Sequence, residues 1–194
     1  MRKATVERKT AETDVALTLN LDGQGLFEGS SGIGFFDHML HLLARHGNLD
    51  LTLSCVGDLD VDGHHTVEDI ALALGEALKQ ALGDKRGIDR YGDMILPMDE
   101  TLVMCAVDLS GRPWLGFRVD FPAQKAGDFD VELTEEFLRG LAFAGGFNLH
   151  VRLLEGTNTH HIVEGIFKAL GRSLRKAVRR SGEEQGIPST KGML

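Results

Sequence analysis

Apolar residues recur at helical spacing in two stretches of this chain: Val67, Ile70, Leu74 and Leu78, then Val163, Ile166, Leu170 and Leu174. Each set falls on one face of a helix, so both helices are expected to cover a sheet. Elsewhere the period is two. Residues 15–21, 49–56, 102–109, 114–121 and 148–154 alternate apolar and polar positions, which predicts half-buried strands. Shorter helices are expected over 36–46 and 134–143. Asp22-Gly23-Gln24-Gly25 reads as a hairpin turn and lacks the third glycine and following helix of a dinucleotide-binding loop. Residues 123–130 read as a polar loop.

The two long helices are copies of one another. HHTVEDIALALGEALKQAL, from His64, lies over HHIVEGIFKALGRSLRKAV, from His160, with both histidines, Val, Glu, Ile, Ala, Leu, Gly, Leu and Ala identical. The match extends upstream, where residues 48–53 lie over 148–153. The chain therefore reads as a duplicated half-domain with its seam near residues 87–97. We assign the first half-repeat to residues 1–93 and the second to 94–194, with a C-terminal substrate-binding tail over 182–194. The expected fold class is α+β: two pseudo-repeated halves, each a mostly antiparallel sheet covered by helices, packed as one compact unit.

At 194 residues the chain is long enough to bury a sizeable core. Its net charge of −8 argues against a nucleic-acid partner. Arg172, Arg175, Lys176, Arg179 and Arg180 cluster, but they suit the solvated face and last turn of a helix. The N-terminal residues have no apolar core, and no apolar run is long enough to span a bilayer. Cys55 and Cys105 sit apart in strand segments, which suggests a reducing compartment and no disulfide framework. The expected location is cytoplasmic, without a membrane partner.

The chemistry lies in the repeated motif. Glu68 follows His64 by four residues and His65 by three, and Glu164 stands likewise from His160 and His161. A His and a Glu at that spacing share a helix face and can chelate an ion. Adjacent histidines diverge by about 100° on a helix, so one pair serves two different ions. Two such motifs imply two metals per site, drawing ligands from both repeats or from neighbouring subunits. His150 could complete one shell and His38 the other. Imidazole with carboxylate suits Mn, Fe, Co, Ni or Zn rather than Mg or Ca. His41 reads as a helix-surface residue; His46 reads as a helix cap or a substrate contact. Arg90, Arg112, Lys168 and Lys191, with the hydroxyls of Ser189 and Thr190, make a phosphorylated substrate plausible.

Several pieces together resemble the imidazoleglycerol-phosphate dehydratase family of histidine biosynthesis. They are Phe36-Asp37-His38-Met39-Leu40 with His46-Gly47, residues 64–69, Leu109-Ser110-Gly111-Arg112-Pro113, Asn158-Thr159-His160-His161 with Glu164 and Phe167-Lys168-Ala169, and Ser189-Thr190-Lys191-Gly192. The resemblance implies a ribosomal protein S5 domain 2-like fold for each half. It implies dehydration of D-erythro-imidazole glycerol phosphate to imidazole acetol phosphate, through an imidazolate and a diazafulvene-like intermediate. Two Mn(II) ions per active site are implied, held by His38, His64, His65, Glu68, His150, His160, His161 and Glu164. Glu12, Glu164 and His65 take the implied catalytic roles, with the choice of base between Glu12 and Glu164 left open. Substrate contacts carry over to Glu12, His38, His46, His64, His65, Glu68 and His160 on the imidazole side. On the phosphate side they carry over to Arg90, Arg112, Lys168, Ser189, Thr190 and Lys191. The implied assembly is a 24-subunit cage with active sites at subunit interfaces.

One departure stands out: Asp62-Gly63 precedes the first His-His where the family commonly has Asp-Asp. Gly63 has no carboxylate to orient an imidazole, so Asp62 or a water is expected to do so. Two rival readings remain at this level: a dinuclear hydrolase of a phosphate ester, and a metal-storing cage without catalysis.

Overall fold

A computed structural model describes residues 2–180, 182 and 186–194. The first half runs β1 (Lys3–Lys9), β2 (Thr13–Asn20), β3 (Phe27–Ser30), α1 (Gly34–Gly47), β4 (Asp50–Gly57) and α2 (His64–Leu82). The second runs β5 (Tyr91–Met98), β6 (Thr101–Asp108), β7 (Trp114–Arg118), the short β8 (Lys125–Ala126) and β9 (Phe129–Asp130), α3 (Glu132–Gly145), β10 (Asn148–Glu155) and α4 (Thr159–Ala177). The sheets have matching orders, β1-β2-β4-β3 and β5-β6-β10-β7. In each, only the last pair is parallel, so the fold is the α+β duplication that the repeat predicts.

The strands present one face to the core, as their alternation requires. Val15, Leu17 and Leu19 of β2 are buried, as are Val103, Cys105 and Val107 of β6. The helices interlock across the halves: α2 packs on α3 and α1 on α4. At the second crossing a Cβ on Gly171 would stand 2.8 Å from the Leu43 carbonyl oxygen, so only glycine allows α1 and α4 so close. Phe137 and Phe167 from the second half stack at 5.2 Å, and Phe36 from the first meets Phe137 edge-on at 5.3 Å. Each buried phenyl contributes on the order of 2 kcal/mol. One aromatic cluster thus binds both halves into a single core.

Four local expectations are corrected. Residues 22–25 do not close a hairpin, because β3 lies parallel beside β4 rather than beside β2. Asp50 Oδ1 accepts from the backbone N–H groups of Gln24 (2.7 Å) and Leu26 (3.2 Å), pulling the segment across the start of β4. Residues 123–130 are not wholly polar, since the β8–β9 hairpin buries Ala126 and Phe129, the latter against Phe36. The strand expected over 114–121 stops at Arg118. Strands β1 and β5 were not expected. β5 spans the region assigned to the seam, and there a Cβ on Gly92 would lie 1.9 Å from the Ser173 carbonyl oxygen of α4. Of the expected tail, residues 183–185 lie outside the described residues. No helix among the described residues is long and apolar enough to cross a membrane.

Candidate functional site

Both His-His pairs open their helices as expected, His64 at the first residue of α2 and His160 at the second of α4. The Asn158 side chain caps α4 by accepting from the His161 N–H at 3.2 Å. Gly63 cannot cap α2, and Asp62 Oδ1 accepts the His64 N–H at 2.7 Å instead. Within each pair the rings are nearly perpendicular, 88° for His64–His65 and 89° for His160–His161. Each pair therefore aims its two imidazoles at different places.

Three side chains from α1 and α4 converge. Glu164 Oε2 lies 3.1 Å from His160 Nε2 and 3.6 Å from His38 Nε2, and Lys168 pairs with the other oxygen, Oε1. Burial pushes the Glu164 pKa up, but Lys168 and His160 more than offset it, and the net shift is downward. Two imidazole nitrogens and a carboxylate oxygen are donor types that suit a divalent transition-metal ion. As placed within one chain, however, no group of three or more His, Cys, Asp or Glu among the described residues could hold a metal ion by itself.

The second histidine of each pair is tied by a carboxylate. His65 Nδ1 lies 3.0 Å from Asp58 Oδ2, which leaves Nε2 facing Glu12 Oε1 at 3.7 Å. His161 Nδ1 lies 2.8 Å from Glu100 Oε2. The Asp58 hydrogen bond raises the His65 pKa, and the Glu100 hydrogen bond raises that of His161. Such ties fix the ring and leave Nε2 as the outward donor, as metal-binding imidazoles require. The carboxylate that orients His65 is thus Asp58, on the loop before α2, and not Asp62.

Asp58 and Glu100 were not found from the sequence. A signal for Glu100 existed: it precedes Thr101 at the β5–β6 turn as Glu12 precedes Thr13 at the β1–β2 turn. The two glutamates have diverged. Besides the His161 ring, Glu100 takes the backbone N–H of Asn158 (2.9 Å) and the Thr101 hydroxyl (3.0 Å). Its pKa is lowered to about 2, the His161 hydrogen bond being the largest cause. The Glu12 side chain is 53% exposed, and its carboxylate accepts no hydrogen bond among the described residues.

Other expected positions divide. Glu68 is half-buried one turn into α2. His46 packs against α4 at Gly171, and burial, then the positive charge of Lys168, holds its pKa down. His150 joins neither pair within the chain. It is exposed on β10 between buried Leu149 and Val151, so it projects from the outer face of the second sheet. It also pairs with Ala106, roughly 15 Å along the strand from the Glu100 turn.

Arg90, Arg112, Ser189, Thr190 and Lys191 come together around a cavity of about 740 Å³. Arg90 is already engaged with Asp108 (2.7 Å) and the Pro188 carbonyl (2.8 Å), and so straps the tail to β5. Arg112 has no ion pair among the described residues. Lys168 belongs to the Glu164 cluster and not to this cavity. Tyr91 pairs with Asp108 at the cavity end of β5–β6, whereas Glu100 turns the other end. Seven strand steps separate them, roughly 23 Å. The anion cavity and the His160–His161 pair therefore do not meet within one chain.

Known proteins match this chain throughout. The family model described as Imidazoleglycerol-phosphate dehydratase matches residues 31–174. Imidazoleglycerol-phosphate dehydratase of Desulforamulus reducens is 56% identical over 193 residues, covering 100% of this chain and 98% of that protein. The same-named protein of Heliobacterium modesticaldum is 56% identical over 195 residues, covering 100% of both. A crystal structure of imidazoleglycerol-phosphate dehydratase from Staphylococcus aureus superposes with a TM-score of 0.84 at 37% identity, covering 92% of this chain and 99% of that one. A ligand-bound crystal structure of IGPD from Pyrococcus furiosus superposes at 0.85 and 36% identity, covering 97% and 100%.

Proposed function

The chain belongs to the imidazoleglycerol-phosphate dehydratase family, and from that premise we propose that it dehydrates D-erythro-imidazole glycerol phosphate at a di-manganese site completed by more than one copy of itself. It is a hydro-lyase of histidine biosynthesis. The observation that supports the metal reading most is the matched tie on His65 and His161, which holds each ring by Nδ1 and leaves Nε2, at 3.7 Å from Glu12 and 4.0 Å from Asp99, as the nitrogen that could take a metal.

In this reading His38, His160 and Glu164 hold one ion's donors, and His64, His65, Glu68, His150 and His161 supply the rest. When bound, two Mn(II) ions would hold the substrate's ring nitrogens and hydroxyl and favour loss of the ring proton, making an unacidic substrate reactive. Glu12 moves the C–H proton. Its carboxylate is unbonded and stands beside His65, whereas Glu164 is held as an anion by Lys168 and His160. Arg112, Lys191 and the hydroxyls of Ser189 and Thr190 hold the phosphate, and Arg90 keeps their loop in place.

The distance from the anion cavity to the histidines motivates the assembly. One copy supplies the phosphate cavity and another the imidazole side, in the 24-subunit cage the family resemblance implies. A storage cage needs no such cavity, which favours catalysis over that rival. Replacing His65 or His161 with Ala is expected to abolish turnover and lower bound manganese, read by assaying the ketone product and by metal analysis. Full turnover with stoichiometric metal in either variant would overturn the assignment.

A further inference from the structure

Asp69 is 5% exposed and carries a charge that the dehydration scheme does not use. It sits on α2 immediately after Glu68, facing β1 and the β1–β2 turn. Arg8 Nε donates to its Oδ1 at 2.7 Å, and the hydroxyls of Thr13 and Thr10 (3.4 Å) donate to its Oδ2. Thr10 Oγ1 also accepts the N–H groups of Glu12 (3.1 Å) and Thr13 (3.0 Å). The Glu12 carbonyl in turn accepts the N–H of Asp58, the residue that orients His65, at 3.1 Å. Both backbone groups of Glu12 are thus tied, while its carboxylate accepts no hydrogen bond among the described residues.

The second half supplies a comparison within the molecule. Gly165 occupies the position of Asp69 in the repeat, and Thr101 that of Thr13. Among the described residues no such clamp forms there, and Glu100 is held through its own carboxylate instead. At this position of the repeat the carboxylate belongs to the half whose glutamate stays unbonded.

We propose that Asp69 is a positioning residue: through Thr13, Thr10 and Arg8 it fixes the turn so that Glu12 is held beside His65 without its carboxylate being engaged. The proposal rests on Glu12 moving the substrate proton. Misplacing a reacting group by a fraction of an ångström is enough to slow turnover without weakening substrate binding.

The test is steady-state kinetics of the full-length manganese enzyme, with hydrogen exchange at the β1–β2 turn. Thr13→Val should lower kcat about tenfold with KM within about twofold, and Thr13→Ser should restore most of it. Thr10→Ala, at an exposed position, should lower kcat in the same direction and speed exchange of the Glu12 N–H. In a Glu12→Asp background, where the carboxylate is already displaced, Thr13→Val should cost less than about twofold. Wild-type kcat in both Thr13→Val and Thr10→Ala would overturn the clamp, as would a full tenfold loss repeated on Glu12→Asp. Should Thr13→Val not fold, Thr10→Ala carries the test alone. Wild-type kcat in Glu12→Gln would instead sink the role of Glu12 itself.

Discussion

Glu100 Oε2 lies 2.8 Å from His161 Nδ1, joining two residues 61 positions apart and closing the base of the second His-His pair. Because Glu100 touches the ring nitrogen that faces away from the site, its loss should weaken metal binding without removing a ligand. Glu100→Gln is expected to lower manganese affinity about 10–100-fold with the fold intact. Calorimetric titration with Mn(II), alongside circular dichroism, measures both.

Glu12→Gln keeps the shape of the side chain and removes the carboxylate. The expected result is a fall in kcat of about 10²–10⁴ with bound manganese unchanged. The product assay reads the first and metal analysis the second. A matching loss of metal would move Glu12 from base to ligand.

What the sequence disclosed follows the periodicities. The stripe from Val67 to Leu78 and its copy from Val163 to Leu174 were visible because core-facing helices repeat apolar residues every turn, and all eight are buried. Strand β1 was hidden because its inward positions are Ala4, Val6 and Arg8, too polar a set to stand out beside the outward Lys3, Thr5, Glu7 and Lys9. β5 was hidden by Gly92 and Pro97. The orienting carboxylates Asp58 and Glu100 lie on loops, where no period marks a residue, and each partner is fixed only by the tertiary fold. The outward direction of His150 was legible: parity with Leu149 and Val151 places it on the opposite face from the core.

If each site takes its anion cavity from one copy and its histidines from another, two inactive variants can repair each other. Arg112→Ala and His161→Ala chains, unfolded together and reassembled in equal amounts, should recover up to about a quarter of wild-type activity. Separately reassembled variants serve as controls. Recovery no greater than the controls would place both halves of the site in one chain.

The two thiols offer a check on burial. Desolvation raises the Cys105 pKa to about 12 and that of Cys55 to about 11, both from 9.0. A raised acid favours its neutral form, so alkylation at pH 8 should be slow in the native protein and fast for both once unfolded. The same shifts contribute stability that is present below pH 9 and lost as pH rises toward 12. Thiol titration and urea melts across that range test the sign.

Gly92→Ala would place a Cβ 1.9 Å from the Ser173 carbonyl oxygen, forcing α4 off β5. The expected loss is about 1–3 kcal/mol, read as a lower urea midpoint.

The most direct test of the account is turnover of chelator-stripped enzyme titrated with Mn(II), with imidazole glycerol phosphate as substrate and both ketone and inorganic phosphate followed. The account predicts imidazole acetol phosphate in proportion to added manganese, saturating at two ions per chain, with no phosphate released. Full turnover in the stripped enzyme, or release of phosphate in place of the ketone, would contradict it.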